Sequence, residues 1–537
     1  DDLRERLGLA MIMITHDLGV IAGRADRVVV MYAGRIIETA GTVDLFEHTR
    51  HPYTESLLAS IPRLNQDQHA RLRSIPGLPP DLMNPPPACR FAARCPYVAG
   101  KCRAEDPQLD GRTPDHTYAC FFPRPDRDGS GLEEAVRWGA PRGSAVSAPP
   151  PPAPPEVVAE AEPPLTVAST NGASPNGAGP DGAGRKGARP KGAGKGVAGP
   201  NGAGPGGAGT KGADHILDIR NVSKEFPVRA GMILQRTVGT LKALTDVSLE
   251  IRRGETFGLV GESGCGKTTL GKVVVALEKP TAGQVLFNGV NLATMHASAL
   301  RREHRNLQIM FQDPYASLDP RMRVGSIIGE PLIIQHEGDA RARHHRVSEL
   351  LDEVGLQAKM ADRYPHEFSG GQRQRIGLAR ALALRPSLIV ADEPVSALDV
   401  SIRSQILNLM KDLQATHGLT YIVISHDLSV VRYLADRIGV MYLGKLVEVG
   451  KGEDIYARPA HPYTDGLLKA IPLPDPSHER HKEGTPVRGE LPSPVHPPSG
   501  CRFRTRCPLA QERCAEEVPL LQSRGGEHTV ACHFPLN

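Results

Sequence analysis

A glycine-rich segment, GESGCGKTT (residues 261–269), has the composition of a loop that binds phosphate groups. Its glycines would let backbone N–H groups wrap the phosphates of a nucleotide, Lys267 would neutralise their charge, and Thr268 would offer a hydroxyl to Mg²⁺. The apolar runs TFGLVG before it and KVVVALE after it predict a strand and a helix. This context separates a phosphate site from a chance glycine-rich turn. The predicted nucleotide-binding residues are Gly261, Glu262, Ser263, Gly264, Cys265, Gly266, Lys267, Thr268 and Thr269.

Two adjacent carboxylates follow a second apolar run, LIVADEP (388–394). We predict that Asp392, at the end of a buried strand, holds the Mg²⁺ shell and that Glu393 orients and deprotonates an attacking water. An acidic exit from a strand is the plainer alternative. Gln312 could bridge metal and water and His426 could hydrogen-bond a γ-phosphate, although single residues of these types are more often surface or structural groups.

A third segment, FSGGQRQRIGLARAL (368–382), predicts a helix with an anion site at its N-terminus. Ser369 is expected to cap the helix, and its free N–H groups would face outward. An ordinary capped amphipathic helix would explain the helix but not the two consecutive glycines. The predicted anion-binding residues are Ser369, Gly370, Gly371 and Gln372.

The length and composition limit the possible architectures that could position these residues. At about 150 residues per domain, 537 residues allow three or four domains. Gly and Pro contribute 56 and 48 residues, so part of the chain is predicted to be low-complexity. The net charge of +4 is too small to point to a nucleic-acid partner, and none is expected. No run approaches the roughly 18 apolar residues of a membrane span, and the first residues lack a signal-peptide pattern. We therefore expect a cytosolic protein or subunit.

The chain contains an internal repeat. MIMITHDLGV (11–20) matches YIVISHDLSV (421–430), and HPYTESLLASIP matches HPYTDGLLKAIP, at an offset of 410 residues. Residues 1 to about 123 thus duplicate residues 411–537, and strands are expected around MIMITH and RVVVMY. Between the copies, residues 124–213 are rich in Pro, Gly and Ala, which predicts a disordered linker.

Eight of the nine cysteines form two quartets with the same C-x5-C-x6-C-x17-C spacing: Cys89, Cys95, Cys102, Cys120 and Cys501, Cys507, Cys514, Cys532. Disulfides are disfavoured in a reducing cytosol. Structural zinc is possible, with His116 or His528 replacing one thiolate, but the short spacing typical of zinc sites is absent. The wide spacing, and the proline after each second cysteine, favour an iron–sulfur cluster. The ninth cysteine, Cys265, is interpreted as a small residue of the phosphate loop.

In order and spacing, these motifs resemble those of ATP-binding cassette (ABC) ATPases. GESGCGKT, Gln312, FSGGQ, VADEP, SALD with Asp399, and His426 correspond to the Walker A, Q-loop, signature, Walker B, D-loop and H-loop. The resemblance implies an α/β fold of the P-loop NTPase class, with a RecA-like parallel sheet, antiparallel β and α-helical subdomains, and small Cys-rich C-terminal extensions. It also implies ATP hydrolysis with Mg²⁺ held by Thr268, Gln312 and Asp392. Phe226 resembles the aromatic residue that stacks on adenine.

QDPYASLDPRM, both HPYT segments and the trailing cysteines are similar to the oligopeptide and dipeptide uptake subfamily. This resemblance implies a peptide importer on the cytoplasmic face of the plasma membrane. Its partners would be two permease subunits that grip the groove beside Gln312 and Asp313, a solute-binding protein and a second cassette, and its cofactors would include [4Fe-4S] clusters. Importers of nickel or glutathione remain alternatives. A soluble ABC ATPase of translation or DNA repair is a further alternative, although a charged helical connector would then be expected.

The predicted organisation has five parts. Residues 1–60 are a remnant of a first cassette from the H-loop His16 onward, 61–123 a Cys-rich tail, 124–213 the linker, 214–470 a complete cassette, and 471–537 the second tail. ABC sites take Walker A and B from one cassette and the signature from the facing one. We therefore expect a remainder of a longer fused two-cassette protein, with a natural half-cassette that pairs with another subunit as the alternative.

Overall fold

The computed structural model describes residues 6–62, 70–77, 79–125, 215–230, 236–396, 398–482, 487 and 489–536. The predicted linker lies outside these residues apart from its first two positions. The helices are α1 (Leu18–Arg24), α2 (Thr42–Glu47), α3 (Pro52–Ala59), α4 (Gly100–Ala104), α5 (Lys267–Val274), α6 (Ala297–Glu303), α7 (Pro314–Ser317), α8 (Val324–Ile334), α9 (Ala340–Glu353), α10 (Gly370–Leu382), α11 (Val400–His417), α12 (Leu428–Leu434), α13 (Gly452–Ala457), α14 (Pro462–Ala470), α15 (Pro476–Arg480) and α16 (Arg513–Glu516). The strands are β1 (Arg27–Tyr32), β2 (Arg35–Gly41), β3 (Asp110–Thr113), β4 (His116–Tyr118), β5 (His215–Ala230), β6 (Arg236–Arg252), β7 (Thr256–Val260), β8 (Ala282–Phe287), β9 (Val290–Asn291), β10 (Leu307–Met310), β11 (Leu388–Asp392), β12 (Thr420–Ile424), β13 (Arg437–Tyr442), β14 (Lys445–Lys451), β15 (Gln522–Gly525) and β16 (His528–Val530).

The central feature is an eight-stranded sheet in the order β10-β11-β12-β7-β13-β14-β16-β15. Its first five strands pair in parallel, and the others pair antiparallel. Strands β7, β11 and β12 are buried at all five positions, which explains their continuous apolar sequences, because parallel strands are covered on both faces. This sheet is the parallel core predicted from the motifs, and it places the carboxyl ends of β7, β10, β11 and β12 along one edge.

Two further layers complete the cassette. A four-stranded antiparallel sheet, β6-β5-β8-β9, shares one apolar core with β7 and α5. Helices α8 to α12 enclose a second core with the other face of β11 and β12. The predicted fold class, a parallel core with antiparallel β and helical parts, is confirmed. No helix among the described residues is long and apolar enough to cross a membrane.

The two copies of the repeat share one topology beyond the parallel core. Strands β1-β2-β4-β3 form a four-stranded sheet, and β13-β14-β16-β15 are joined in the same order within the central sheet. In each copy the cysteine-rich tail therefore supplies a hairpin that extends the sheet of its own cassette segment. The tail is continuous with the ATPase fold through backbone hydrogen bonds, rather than being a separate appendage.

The prediction of a strand around MIMITH (11–16) is wrong, because these residues form no strand. Their equivalent in the second copy, β12, is hydrogen-bonded between β11 and β7. The part of the chain that the structure describes holds no such neighbours beside 11–16, so the backbone groups of this segment have no partners for a sheet ladder. The prediction for RVVVMY holds, since β1 pairs with β2.

The first copy packs against the complete cassette. Ser404 on α11 donates a hydrogen bond to the carbonyl of Ser60 at 2.7 Å. The side chain of Asn408 on the same helix accepts from the N–H of Leu72 at 3.2 Å and donates to its carbonyl at 2.9 Å. Leu72 itself is buried in the core around α11. Helix α15 of the second tail also packs on α1. The first copy is therefore anchored to the cassette on two elements.

Candidate ATP site

The phosphate loop begins where the buried strand β7 ends. Gly261, Gly264 and Gly266 have φ angles of 148°, 79° and 107°, a region that glycine adopts readily and other residues rarely. A Cβ atom on Gly261 would lie 2.2 Å from the carbonyl oxygen of Met441, and one on Gly266 would lie 2.4 Å from that of Ala243. The loop is therefore pressed against its surroundings on two sides, and its shape depends on these glycines.

Lys267 is the first residue of α5 and points back into the loop. Its ammonium group donates hydrogen bonds to the carbonyl oxygens of Gly261 at 2.8 Å and Glu262 at 2.9 Å. The Cys265 sulfur lies 3.7 Å from the same nitrogen, and burial raises the pKa of this thiol. A buried neutral thiol in the loop agrees with the interpretation of Cys265 as a small packing residue rather than a metal ligand.

Asp392 ends β11 and is 3% exposed. Burial raises the pKa of its carboxyl group, and a hydrogen bond from Thr268 opposes the rise. Its Oδ1 atom is buried and has no hydrogen-bond partner among the described residues. A buried, unpaired carboxylate oxygen next to a threonine hydroxyl fits a divalent cation, because Mg²⁺ is bound by oxygen ligands and would satisfy this atom.

Glu393 follows Asp392 and is the point at which three predicted residues meet. Its Oε2 atom accepts a hydrogen bond from Gln312 Nε2 at 2.8 Å, and its Oε1 atom lies 2.9 Å from His426 Nδ1. The backbone N–H of Glu393 donates to Ile424 O at 2.8 Å, although the residue has a φ of 48°. Residues in such sparsely populated conformations occur often at functional sites. The carboxyl ends of β10, β11 and β12 thus bring together groups that are far apart in sequence.

The signature segment lies at the N-terminus of α10. Ser369 and Gln372 form a reciprocal cap: the N–H of Gln372 donates to Ser369 Oγ at 3.4 Å, and the N–H of Ser369 donates to Gln372 Oε1 at 3.0 Å. A Cβ atom on Gly371 would lie 2.3 Å from Ile402 Cγ2 on α11. The second glycine therefore has a packing role that the sequence did not indicate. Among the described residues, the hydrogen bonds of this N-terminus are made within the segment itself.

Phe226 lies on β5 opposite Leu241 of β6. Two residues beyond Leu241, the carbonyl of Ala243 borders Gly266 of the phosphate loop. Phe226 therefore lies in the strand beside the one that borders the phosphate loop, and the ammonium group of Lys224 lies 4.8 Å from the centroid of its ring. Asp399, which was also predicted from the sequence, is the N-cap of α11 and makes no capping hydrogen bond with its side chain.

Each cysteine quartet lines one small cavity of its own. The first cavity is lined by Cys89, Cys95, Cys102 and Cys120 together with His51, and the second by Cys501, Cys507, Cys514 and Cys532 together with His461. Burial raises the thiol pKa of the following cysteines: Cys89, Cys95, Cys120, Cys501, Cys507 and Cys532. No group of three or more His, Cys, Asp or Glu side chains in the described ranges is placed to hold a metal ion.

The alternative in which His116 or His528 replaces a cysteine at a zinc site does not fit the structure. Nε2 of His116 lies 3.0 Å from Glu38, and Nε2 of His528 lies 2.7 Å from Glu448. Both glutamates are fully buried. These histidines tie the tail hairpin to the preceding strand, and neither lines a cysteine cavity.

Two contacts to the phosphate loop were not anticipated. Tyr463 and Arg506, both from the C-terminal part of the chain, bind Glu262. A signal existed in the repeat, because HPYT and an arginine directly before the second cysteine occur in both copies. Only the three-dimensional arrangement reveals what these residues contact.

Comparisons with known proteins agree with this geometry. Residues 244–396 match the ABC transporter family, and residues 37–102 and 447–514 match the oligopeptide/dipeptide transporter C-terminal region. The oligopeptide transport ATP-binding protein AppF of Bacillus subtilis is 52% identical over 320 residues, which cover 59% of this chain and 97% of that protein. A putative peptide import ATP-binding protein of Brucella ovis is 52% identical over 317 residues, with the same two coverages. The oligopeptide transport ATP-binding protein OppD of Mycobacterium tuberculosis is 40% identical over 475 residues, 88% of this chain and 67% of its own. The chain therefore belongs to the oligopeptide and dipeptide branch of the ABC transporter ATP-binding proteins.

Proposed function

We propose that this chain is the ATP-hydrolysing subunit of a membrane importer for peptides. The observation that carries the proposal is the position of Glu393, which is hydrogen-bonded to Gln312 and faces His426 beside the buried carboxylate of Asp392. A carboxylate held in this way can accept the proton of an attacking water. The names of the relatives and the two matched C-terminal regions support peptides as the solute class.

Different residues of the site would bind different parts of Mg-ATP. Phe226 would stack on the adenine, the N–H groups of the glycine-rich loop would bind the phosphates, and Lys267 would neutralise their charge. Thr268 and Asp392, with Gln312 nearby, would hold Mg²⁺, which supplies charge stabilisation on the β- and γ-phosphates when bound. Glu393 would then receive the proton of the water, and His426 would keep the Glu393 carboxylate oriented through Nδ1.

A second cassette is needed to complete the site. The signature residues Ser369, Gly370 and Gly371 would cap the γ-phosphate of a facing cassette, with Asp399 beside them. The first copy of the repeat lies on this side of the molecule, because the carbonyl of Ser60 accepts a hydrogen bond from Ser404 on α11, the helix that begins after Asp399. The facing site would come from a second cassette.

A groove beside the Q-loop is the proposed contact for the permease subunits. It has a volume of about 430 Å³, lies between the ends of β10 and helix α8, and is lined in part by Phe311, Pro331 and Ile334. Phe311 and Ile334 are 43% and 52% exposed. Apolar side chains exposed together in a groove are typical of a protein contact surface. In the complete importer, two permeases would hold the chain at the cytoplasmic face of the membrane, and a separate solute-binding protein would deliver the peptide.

Reconstitution with the permease subunits in lipid vesicles tests this function. Glu393→Gln is expected to retain ATP binding while ATP turnover and uptake of a labelled peptide both fall to background, because the base is lost and the phosphate contacts are kept. Lys267→Ala should weaken ATP binding as well. Peptide uptake that continues at the wild-type rate in either variant would contradict the proposal, and ATP-driven uptake of nickel or glutathione alone would replace peptide as the solute.

The cysteine quartets are proposed to hold [4Fe-4S] clusters. Four cysteines surround each cavity, and His461, which lines the second cavity, has a buried Nε2 without a partner among the described atoms. Its Nδ1 accepts the N–H of Tyr463 at 3.0 Å, so the ring proton of the neutral imidazole is on Nε2. A sulfur atom within the cavity would accept a hydrogen bond from this N–H and remove the cost of a buried unsatisfied donor. Four cysteine sulfurs around each cavity and the unpaired N–H of His461 therefore support a cluster, whose sulfide could accept this hydrogen bond, over a lone zinc ion.

Anaerobic purification tests the cluster assignment. The full chain is expected to be brown and to contain iron and acid-labile sulfide, and Cys507→Ser and Cys95→Ser should each remove about half of both. The double variant should be colourless. Stoichiometric zinc without sulfide would overturn the assignment in favour of a structural zinc site.

A further inference from the structure

Glu262, the second residue of the phosphate loop, is held by two side chains that belong to none of the ATPase motifs. The guanidinium of Arg506 donates to both of its carboxylate oxygens, at 2.7 Å and 2.9 Å. The hydroxyl of Tyr463 accepts the backbone N–H of Glu262 at 2.9 Å. One residue of the loop is thus fixed through its side chain and its backbone at once. Bidentate arginine–carboxylate pairs are among the stronger and more directional contacts in proteins.

Both partners are themselves immobilised. Tyr463 is fully buried on α14, and its ring centroid lies 4.7 Å from that of Tyr442 and 5.4 Å from that of Phe503. The Arg506 side chain is 7% exposed and lies over the Tyr442 ring at 5.8 Å. Hydrogen bonding to Glu262 raises the pKa of Arg506, so its charge is permanent. Because this aromatic cluster is buried and closely packed, the position of the phosphate loop depends on the position of the tail.

Arg506 directly precedes Cys507, so the contact joins the cysteine-rich tail to the nucleotide site. The equivalent residue of the first copy makes different contacts. Arg94, its equivalent, donates to the carbonyls of Ile75 and Pro76 and to Tyr32 Oη. The contact to the neighbouring tyrosine is common to both copies, whereas within the described ranges the contact to a loop carboxylate is found in the second copy. The tail of the complete cassette is thus engaged with the ATP site in a way that the other tail is not.

We propose that Arg506 and Tyr463 are positioning residues for ATP binding, through which the cysteine-rich tail holds the phosphate loop in its binding shape and cancels the charge of Glu262. A loop rich in glycine has many alternative conformations, and fixing Glu262 removes part of that freedom before ATP arrives. An uncompensated carboxylate next to a triphosphate would also repel it. The two effects predict different responses to substitution, which makes them separable.

The test is the dissociation constant for Mg-ATP of the full chain, measured by calorimetric titration, with the thermal midpoint as a check of folding. Arg506→Gln is expected to raise the constant about tenfold, because it removes a charge-assisted pair and leaves Glu262 unpaired. Glu262→Gln in the same chain should bring it back to within about threefold of wild type, because the repulsive charge is gone. The dissociation constant of Arg506→Lys should lie between those of Arg506→Gln and of the double variant. Tyr463→Phe, which removes one oxygen, should raise the constant about threefold.

Arg94→Gln is the matched control, since it alters the equivalent arginine of the tail that contacts no phosphate loop. It is expected to leave ATP affinity unchanged. A folded Arg506→Gln variant with wild-type affinity would overturn the proposal, and so would equal losses of affinity in the Arg506 and Arg94 variants. An Arg506→Gln loss that Glu262→Gln does not reverse would contradict the charge argument. If Arg506→Gln fails to fold, Tyr463→Phe decides the positioning role, and unchanged affinity there would overturn it.

Discussion

The two copies of the repeat carry almost the same apolar pattern but bury it to different extents. Ile422 on β12 is 4% exposed and Met441 on β13 is fully buried, whereas their equivalents Ile12 and Met31 are 93% and 59% exposed. In the second copy these residues lie within the central sheet, between β11 and β7 or beside β7. The same residue types therefore become core or surface according to the strands that surround them.

The copies agree where their contacts are internal to each copy. Glu38 and Glu448 are fully buried, and each accepts backbone N–H groups at the start of the HPYT segment. Arg90 and Arg502 each donate to the carbonyl of the β-turn between the two preceding strands, that of Ala33 or Leu443. The tail and the hairpin before it thus keep the same internal contacts in both copies.

Substituting equivalent core positions gives the largest expected difference between the copies. Ile422→Asp would place a carboxylate in the centre of the parallel sheet and should lower the free energy of unfolding by about 4 kcal/mol or more. Ile12→Asp, at an exposed site, should change it by less than about 0.5 kcal/mol. Chemical denaturation of the full chain with both variants measures this. Similar losses at the two positions would show that residues 11–16 are buried in solution.

Substituting the two H-loop histidines tests whether catalysis depends on the second copy alone. His426 faces Glu393, so His426→Ala is expected to lower kcat about a hundredfold. His16, its equivalent, is exposed, and His16→Ala should leave kcat unchanged. Steady-state ATPase assays of both variants give the comparison. A loss of activity in the His16 variant would mean that the first copy takes part in a catalytic site.

The interface between the first copy and α11 should depend on one buried amide. Asn408→Ala would leave the backbone groups of Leu72 unsatisfied and remove a 2.7 Å hydrogen bond from Tyr433, at a cost of about 2 kcal/mol. Hydrogen exchange in residues 70–77 should accelerate accordingly. Arg71→Ala is the control, because its ion pair with Asp412 is exposed and should contribute less than about 1 kcal/mol. Equal protection in the two variants would show that the amide does not anchor the first copy.

Self-association gives the smallest expected effect. Since one complete cassette provides one signature, ATP turnover per molecule should rise about tenfold for a tenfold rise in concentration while the chain is mostly monomeric. Mixing in chains with Ser369→Arg should lower the rate, because the altered signature occupies the facing position. A rate per molecule that does not depend on concentration, from a chain shown to be a monomer by light scattering, would contradict the requirement for a facing cassette.

The sequence alone determined the motifs and much of the fold. The strand-loop-helix pattern around Gly261, the carboxylates at 392 and 393, and the equal spacing of the cysteines predicted the class of fold and the family, both now confirmed. These features are local: a loop that binds phosphate needs its glycines within a few residues, and a parallel strand needs a continuous apolar run. The roles of the individual site residues remain predictions for which the structure supplies geometry.

Tertiary structure alone decided which surfaces are covered and which distant groups meet. Residues 11–16 carry a strand pattern but form no strand, because hydrogen-bonding neighbours come from elsewhere in the chain. Gly371 looked like part of an anion site, and its close approach to Ile402 is visible only in the packed helices. Arg506 reaches Glu262 across 244 residues of sequence. Contacts of this kind depend on how separate elements pack, and neither periodicity nor spacing encodes them.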